Sequence, residues 1–344
     1  MTNLASRYLG LNLKHPIIAS ASPLTATYDG MRRLEDAGAA AVVMASLYEE
    51  QIRASDAAYA NMTEESAGSH PEAATYFPEL PGYHYGASGH LETLRRASQA
   101  LQIPVIASLN SFSEEGWLDY ATEMQQAGAA ALELNLYFLP TDLAVSAHDV
   151  EQRHLNIVRR VRAKVNIPIV VKLLPFYTAL GNYVEQLQAS GVDGVVLFNR
   201  YIRPDIDLDT LSVKIEALLS HPTDIYLPAT WTALLSRRVT LSIAAGTGVD
   251  TFVEVVKLLL AGANVVTTAS SLLRRGPQHM TALVEGLRGW LERNAFESVD
   301  EIRGRLDATH VGQANLFFRS EHLHALSDYS STHWPNRERA PATA

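Results

Sequence analysis

Four short stretches of this chain are variations on one phrase, and their spacing limits the folds it can adopt. They read Ala37-Gly38-Ala39-Ala40-Ala41-Val42-Val43, Ala127-Gly128-Ala129-Ala130-Ala131-Leu132, Ser190-Gly191-Val192-Asp193-Gly194-Val195-Val196 and Ala261-Gly262-Ala263-Asn264-Val265-Val266. Each sets a glycine where a helix would end and follows it with a short apolar run. The glycine suits a left-handed helix cap, and the run suits a strand buried on both faces. The four glycines lie 90, 63 and 71 residues apart. One strand-and-helix unit takes roughly 30 to 40 residues, so each interval holds two units, the first with an insertion.

The strands between these phrases carry a second signature. His15-Pro16-Ile17-Ile18, Ile103-Pro104-Val105-Ile106 and Ile167-Pro168-Ile169-Val170-Val171 set proline at the start of a β run, where a missing N–H is tolerated. Arg238-Val239-Thr240-Leu241-Ser242-Ile243 fills the fourth such slot without proline. Two kinds of strand, four of each, make eight. Phe252, Val255, Val256 and Leu259, and then Met280, Leu283, Val284, Leu287 and Leu291, recur at helical spacing between and after them. Alternating strands and helices predict a parallel sheet, and eight units predict closure: an α/β fold, the (β/α)8 TIM barrel. The competing open, doubly wound sheet calls for a glycine-rich turn after the first strand; Ser20-Ala21-Ser22-Pro23-Leu24-Thr25 has none. Long insertions follow the second, fourth and sixth strands, at residues 47–89, 137–148 and 199–228, all on the face where barrel enzymes keep their chemistry. A single domain over residues 1–328 is expected, with 329–344 as a polar, flexible C-terminal tail.

Composition removes several classes of function. With 47% hydrophobic residues in 344, a large core is available. The net charge is −9 and the Lys and Arg residues are scattered, which argues against a nucleic-acid partner. No apolar run reaches about 18 residues, so no membrane helix is expected. The opening MTNLASRYLGLNLKHP does not read as a signal peptide. There is no cysteine, which excludes disulfides, thiolate-held metals or iron–sulfur clusters, and a cysteine base. None of the 12 histidines forms a close pair with a carboxylate at a strand end, so no metal site is expected. These features together suggest a cytoplasmic protein.

The carboxyl ends of the strands carry Asn110, Asn135, Lys172 and Asn199 on four successive strands. Amides offer donors and acceptors together, which suits a flat heterocycle such as an isoalloxazine or a pyrimidine. A lysine beneath such a ring can stabilise negative charge developing on a reduced flavin. The plainer alternative is that these amides cap strand ends and bond loop backbone. Gly246-Thr247-Gly248 and Ala269-Ser270-Ser271 follow the seventh and eighth strands, where barrels commonly bind phosphate on backbone N–H groups.

These residues resemble the dihydroorotate dehydrogenase family. The resemblance covers roughly residues 3–308 and rests on "LGLNLKHPIIASAS", "ELNL" of the fourth strand, "VVKLLP" of the fifth, "FN" ending the sixth, "AAGTGV", and "LLAGANVVTTASSLLRRGP". It implies FMN as cofactor, with contacts at Ala21, Ser22, Asn135, Lys172, Asn199, Gly248, Ala269 and Ser270; Asn110 and Gly246 join them as cofactor-facing positions. The departures are on the substrate side. The family's Cys or Ser base lies three residues after the fourth-strand Asn, and here that residue is Phe138. The family's second-strand Lys corresponds to Met44, and "TYFPELPGYHYG" replaces the Asn-bearing substrate loop. The chain is thus similar to the dihydroorotate dehydrogenase-like branch, which keeps the flavin site and lacks catalytic residues.

Three functions remain open at this point. One is an FMN-dependent oxidoreductase on an altered small substrate, a dihydropyrimidine or another unsaturated or heterocyclic compound. Its proton donor would be Tyr137, Thr141, Ser146 or His148, or Tyr76, Tyr83 or Tyr85 from the insertion. The second is a catalytically inactive FMN-binding accessory protein, and the third a weak dihydroorotate dehydrogenase. Phe138 either fills the volume above the flavin or simply packs under its loop. An electron-transfer protein is a conceivable partner and would have to bring its own clusters. A homodimer is the family's usual state.

Overall fold

The computed structural model describes residues 2–50, 87–110, 113–201, 204–215, 219–308 and 314–333. Eight parallel strands close on themselves. In chain order they are Ile17–Ala19, Val42–Val43, Val105–Asn110, Ala131–Asn135, Ile169–Leu173, Gly194–Leu197, Ser242–Ala245 and Val265–Thr268. Each bonds its successor, and the eighth bonds the first, with Val266 beside Ile17. Leu47–Tyr48 extends the second strand along Leu109 and Asn110. The helices Tyr28–Asp36, Ala87–Ala100, Glu114–Gln126, Ala147–Lys164, Leu180–Ala189, Tyr226–Leu235, Phe252–Ala261 and His279–Arg293 follow the strands in turn and ring them. This is the (β/α)8 barrel that the repeat predicts.

The repeat glycines act as helix terminators. Gly38, Gly128, Gly191 and Gly262 have φ of 100°, 95°, 91° and 115°. Each N–H turns back to a carbonyl of its helix's last turn, as Gly38 does to Glu35 at 2.9 Å. The reversal drops the chain directly into the next strand.

Strand alternation sorts the apolar residues into two shells. Outward-facing Ile17, Val42, Val105, Leu132, Leu134, Val171, Val195 and Ile243 pack against the helices. Inward-facing Ile18, Val43, Ile106, Ala131, Val170, Val196, Ala244 and Val265 fill the barrel with Tyr8, Leu9 and Leu13. Those last three belong to the N-terminal antiparallel pair Ser6–Tyr8 and Leu11–Leu13, which plugs the end of the barrel away from the active face. Two hydrogen bonds fix the plug: Leu9 N–H to Ser242 Oγ at 3.1 Å, and Ser6 Oγ–H to the Asn264 carbonyl at 2.7 Å.

Three expectations change in detail. The seventh strand begins at Ser242, not at Arg238. Val239 and Leu241 are buried in the outer shell as part of the loop leading into it, where Thr240 N–H bonds Gln188 Oε1 at 2.7 Å. The insertion after the sixth strand contains an antiparallel pair, Pro204–Asp207 with Ser212–Ile215. A helix, Ala314–His333, runs into the segment read as a tail. Residues 51–86, including Tyr76, Tyr83 and Tyr85, and 334–344 lie outside the described residues. Among the described residues no helix is long and apolar enough to cross a membrane.

The glycine junctions differ in how much room they leave. A Cβ on Gly38 would meet nothing within 4 Å, whereas one on Gly262 would sit 2.3 Å from Ser236 Cβ. We expect Gly38→Ala to cost about 1 kcal/mol through its left-handed backbone alone, and Gly262→Ala to cost at least about twice that. Chemical denaturation of both variants checks the order; equal losses would show that the contact with Ser236 does not matter.

Candidate functional site

Above the apolar filling, the inward positions turn polar. Alternation sets Glu133 and Asn135 on the inner face of the fourth strand and Lys172 on that of the fifth, with Asn135 paired to Lys172 in register. Glu133 and Lys172 are both buried. Lys172 Nζ lies 3.4 Å from Glu133 Oε1 and 3.5 Å from Ser20 Oγ. Glu133 Oε1 also accepts from Ser108 Oγ at 3.2 Å, and Ser108 Oγ is 2.7 Å from Ser46 Oγ. A polar chain therefore spans the barrel from the second strand to the first. Beneath it, burial and then the charge of Glu133 push the Tyr8 phenol well above 10.

Lys172 forms part of a cavity at the carboxyl ends of the strands. Its walls include Ala21, Asn199, Gly248, Ala269 and Ser270, all expected from the sequence, together with Ser20, Arg200, Ser220, Thr247 and Thr267. Two of the lining residues are cations, Lys172 and Arg200, and none is acidic. Asn199 Nδ2–H donates to Asn135 Oδ1 at 2.8 Å, which joins the two amides into one unit. The turn after the seventh strand is held by Thr247 Oγ–H on the Phe198 carbonyl at 3.0 Å. It stays narrow because a Cβ on Gly248 would meet Ile225 N at 2.7 Å and one on Gly246 would meet Thr267 Oγ1 at 2.2 Å. Ser270 Oγ accepts from Ser220 N–H at 3.0 Å, and Arg274 binds the Ser220 carbonyl, so the loop after the sixth strand is tied to the start of the short helix Ser270–Arg275.

Other expected residues lie elsewhere. Ser22 exchanges hydrogen bonds with Thr25 and opens a short turn. Gly246 serves close packing. Asn110 lines a neighbouring cavity with Trp117, Tyr137, Phe138 and His154. Met44 is fully buried in the outer apolar shell, so its side chain does not face the mouth; Ser46, bonded to Ser108, does. At the position that the resemblance matches to the family's lysine, this chain thus holds a buried apolar side chain and no cation.

The proton-donor candidates of the fourth-strand loop separate as well. Ser146 caps the helix Ala147–Lys164, its hydroxyl donating to Asp149 Oδ2 at 2.6 Å and accepting from Asp149 N–H at 3.2 Å. Thr141 and His148 are exposed. Tyr137 alone among the four shares a cavity with Asn110. Phe138 does not line the Lys172 cavity. Its ring meets His154 edge-on at 6.4 Å, with the Arg153 guanidinium 5.1 Å from its centre.

The sequence reading missed Glu133, the Ser46–Ser108 link and His154. For Glu133 a signal existed: a carboxylate flanked by Leu132 and Leu134 on a buried strand needs an inward-facing cation.

Fold and cavity together define a (β/α)8 barrel with a cationic, amide-lined pocket at its active face. The chain is related to the dihydroorotate dehydrogenases. It is 26% identical over 242 residues to dihydroorotate dehydrogenase A (fumarate) of Lactobacillus delbrueckii subsp. bulgaricus, covering 66% of this chain and 74% of that protein. It is 24% identical to the catalytic subunit of dihydroorotate dehydrogenase B (NAD(+)) of Endomicrobium trichonymphae, covering 64% and 73%. With the corresponding subunit of Thermoplasma volcanium it shares 23% identity over 88% of this chain and 98% of the relative. No protein-family model matches the chain.

Removing one partner of a buried ion pair strands the other. Lys172→Met should therefore cost roughly 3–5 kcal/mol, because Glu133 stays buried without its cation. The double variant Lys172→Met/Glu133→Leu should lie closer to wild type. Denaturant midpoints test this, and a double variant no more stable than the single would refute the coupling.

Proposed function

We propose that this chain is an FMN-dependent oxidoreductase acting on a CH–CH group of a small substrate other than dihydroorotate. The supporting observation is the cavity around Lys172, with two cations, the Asn199 amide that is bonded to Asn135, and no carboxylate in its lining. That donor set fits a planar, anionic, hydrogen-bonding cofactor. FMN, when bound, supplies a two-electron hydride acceptor. Lys172 would hold the electron-rich edge of its ring, and Asn135 and Asn199 its N–H and C=O groups, with Ala21 and Ser22 contributing backbone. The turns carrying Gly248, Ala269 and Ser270 would take its phosphate. Residues 1–328 would form one domain of a cytoplasmic protein, paired as the homodimer usual in the family.

The substrate half supports an altered chemistry. Phe138 stands where the family keeps its base and cannot take a proton. Tyr137 is the hydroxyl left to serve that role beside Asn110. A second reading, an inactive FMN-binding accessory protein, draws on the commitment of Ser146 to a helix cap and the exposure of Thr141. An electron-transfer partner would bring its own clusters, since the chain has no cysteine.

The protein should purify yellow with one FMN per chain, read from its visible spectrum. Protein that is colourless and stays so after FMN is added would overturn the reading. Dihydroorotate should not be oxidised at a useful rate, and Phe138→Cys alone should not restore it, because residues that act as a set are not recovered singly. Turnover of about ten per second or more, ordinary for an enzyme, by the wild-type chain with any common acceptor would show that the substrate half is not rebuilt.

A further inference from the structure

Behind the fourth-strand loop lie two cavities that share two residues, Phe138 and His154. One is lined by Asn110, Trp117, Tyr137 and Arg153 and adjoins the barrel mouth at Asn110. The other is lined by Leu139, Pro140, Phe176 and Tyr177. The Phe138 ring stands between them. It sits on an exposed loop, is 36% exposed, and is held by one edge-on contact to His154 and by the Arg153 guanidinium. His154 is 4% exposed, and among the described residues its Nδ1 has no hydrogen-bond partner; the Nε1 of Trp117, also buried, has none either. Burying such groups unpaired is costly, and a ligand that pairs them recovers the loss.

We propose that Phe138 is the gate of an aromatic substrate pocket. With its ring swung outward the two cavities join, and a neutral aromatic or heteroaromatic ring takes its position. The incoming ring lies beside His154 and beneath Arg153, and its polar atom bonds His154 Nδ1. The other end of the molecule extends past Tyr137 towards Asn110. The pocket thus selects a neutral aromatic substrate in place of a carboxylated dihydropyrimidine. Neutrality suits cavities whose linings set Glu50 and Glu151 against Arg153 around the buried His154. Burial, and secondarily the positive charge of Arg153, lower its pKa to about 4, so at neutral pH the imidazole offers a hydrogen bond without a charge. Arg153 itself favours an aromatic face over an aliphatic one. The substrate assignment rests on the oxidoreductase reading above; the pocket does not.

Indole is a suitable probe, being planar and neutral and carrying one N–H for His154. Titrated calorimetrically into the purified protein at pH 7.5, it should bind saturably at one site, with benzoate binding more weakly. Phe138→Ala should tighten indole binding about tenfold, because the closed gate no longer competes. His154→Leu should weaken it about tenfold through loss of the hydrogen bond. Absence of saturable binding in both wild type and Phe138→Ala overturns the pocket, as does unchanged affinity in a folded His154→Leu. Should His154→Leu not fold, Phe138→Ala decides alone at its part-exposed position, and equal or weaker binding there overturns the gate. Calorimetry needs no flavin, so the two readings fail separately. Colourless protein that binds indole removes the flavin reading only, and yellow protein that does not bind it removes the pocket only.

Discussion

The ion pair between Lys172 and Glu133 divides this barrel into a dry half and a working half. Below it, each of the eight strands contributes an aliphatic inward side chain, and the N-terminal pair seals them with Tyr8, Leu9 and Leu13. At and above it they are Ser20, Ser46, Ser108, Asn135 and Asn199, joined to one another or to the pair. A buried ion pair stabilises a fold no better than apolar residues of the same volume. Its presence therefore points to work at the mouth. Lys172 is tethered by two long contacts, at 3.4 and 3.5 Å, near the limit for a hydrogen bond, and keeps a third donor direction.

The rest of the architecture keeps that boundary in register. A one-residue slip in the fourth or fifth strand would turn Glu133 or Lys172 into the outer apolar shell, where no partner waits. The glycine caps prevent slippage by fixing where each helix stops and each strand starts. The cap at Gly262 is the tightest, pressed against Ser236 at the end of a neighbouring helix. Tight turns of the same kind follow the seventh strand, where Gly246 and Gly248 leave no room for a side chain. The site and the fold thus rest on the same few backbone positions.

Much of this could be read from the chain because period and punctuation are local properties. The repeat glycines, the proline-led strands and the helical spacing of Phe252 to Leu259 yield the barrel, and strand ends yield Lys172, Asn135 and Asn199. The failures have physical causes. The second strand is broken into Val42–Val43 and Leu47–Tyr48, so strict alternation does not run on from Val43 to Ser46, and no period marks Ser46 as the partner of Ser108. Arg238 to Leu241 has strand-like composition, yet its apolar side chains are buried by a loop. Ser146 looks like a loop hydroxyl in sequence and is a helix cap in space, a role that depends on Asp149 three residues on. His154 was invisible because it acts across elements, from the middle of a helix to the back of a loop.

Phe138, in the loop after the fourth strand, stands where the resemblance sets the family's base, and its geometry constrains what that can mean. Had Phe138 leaned over Lys172, the simplest account would be a blocked barrel. Its ring instead turns away to the helix Ala147–Lys164, where it covers an imidazole that also packs on Tyr183 and whose Nδ1 has no hydrogen-bond partner among the described residues. An apolar residue laid over an unpaired buried nitrogen leaves that nitrogen's desolvation penalty in place, a penalty that a hydrophobic residue of similar size at position 154 would not carry. A polar group beneath a removable cover is what a site that pairs it with a ligand requires. Asn110, which lines the pocket behind Phe138, ends the third strand, so an occupant of that pocket would present its far end to the barrel mouth.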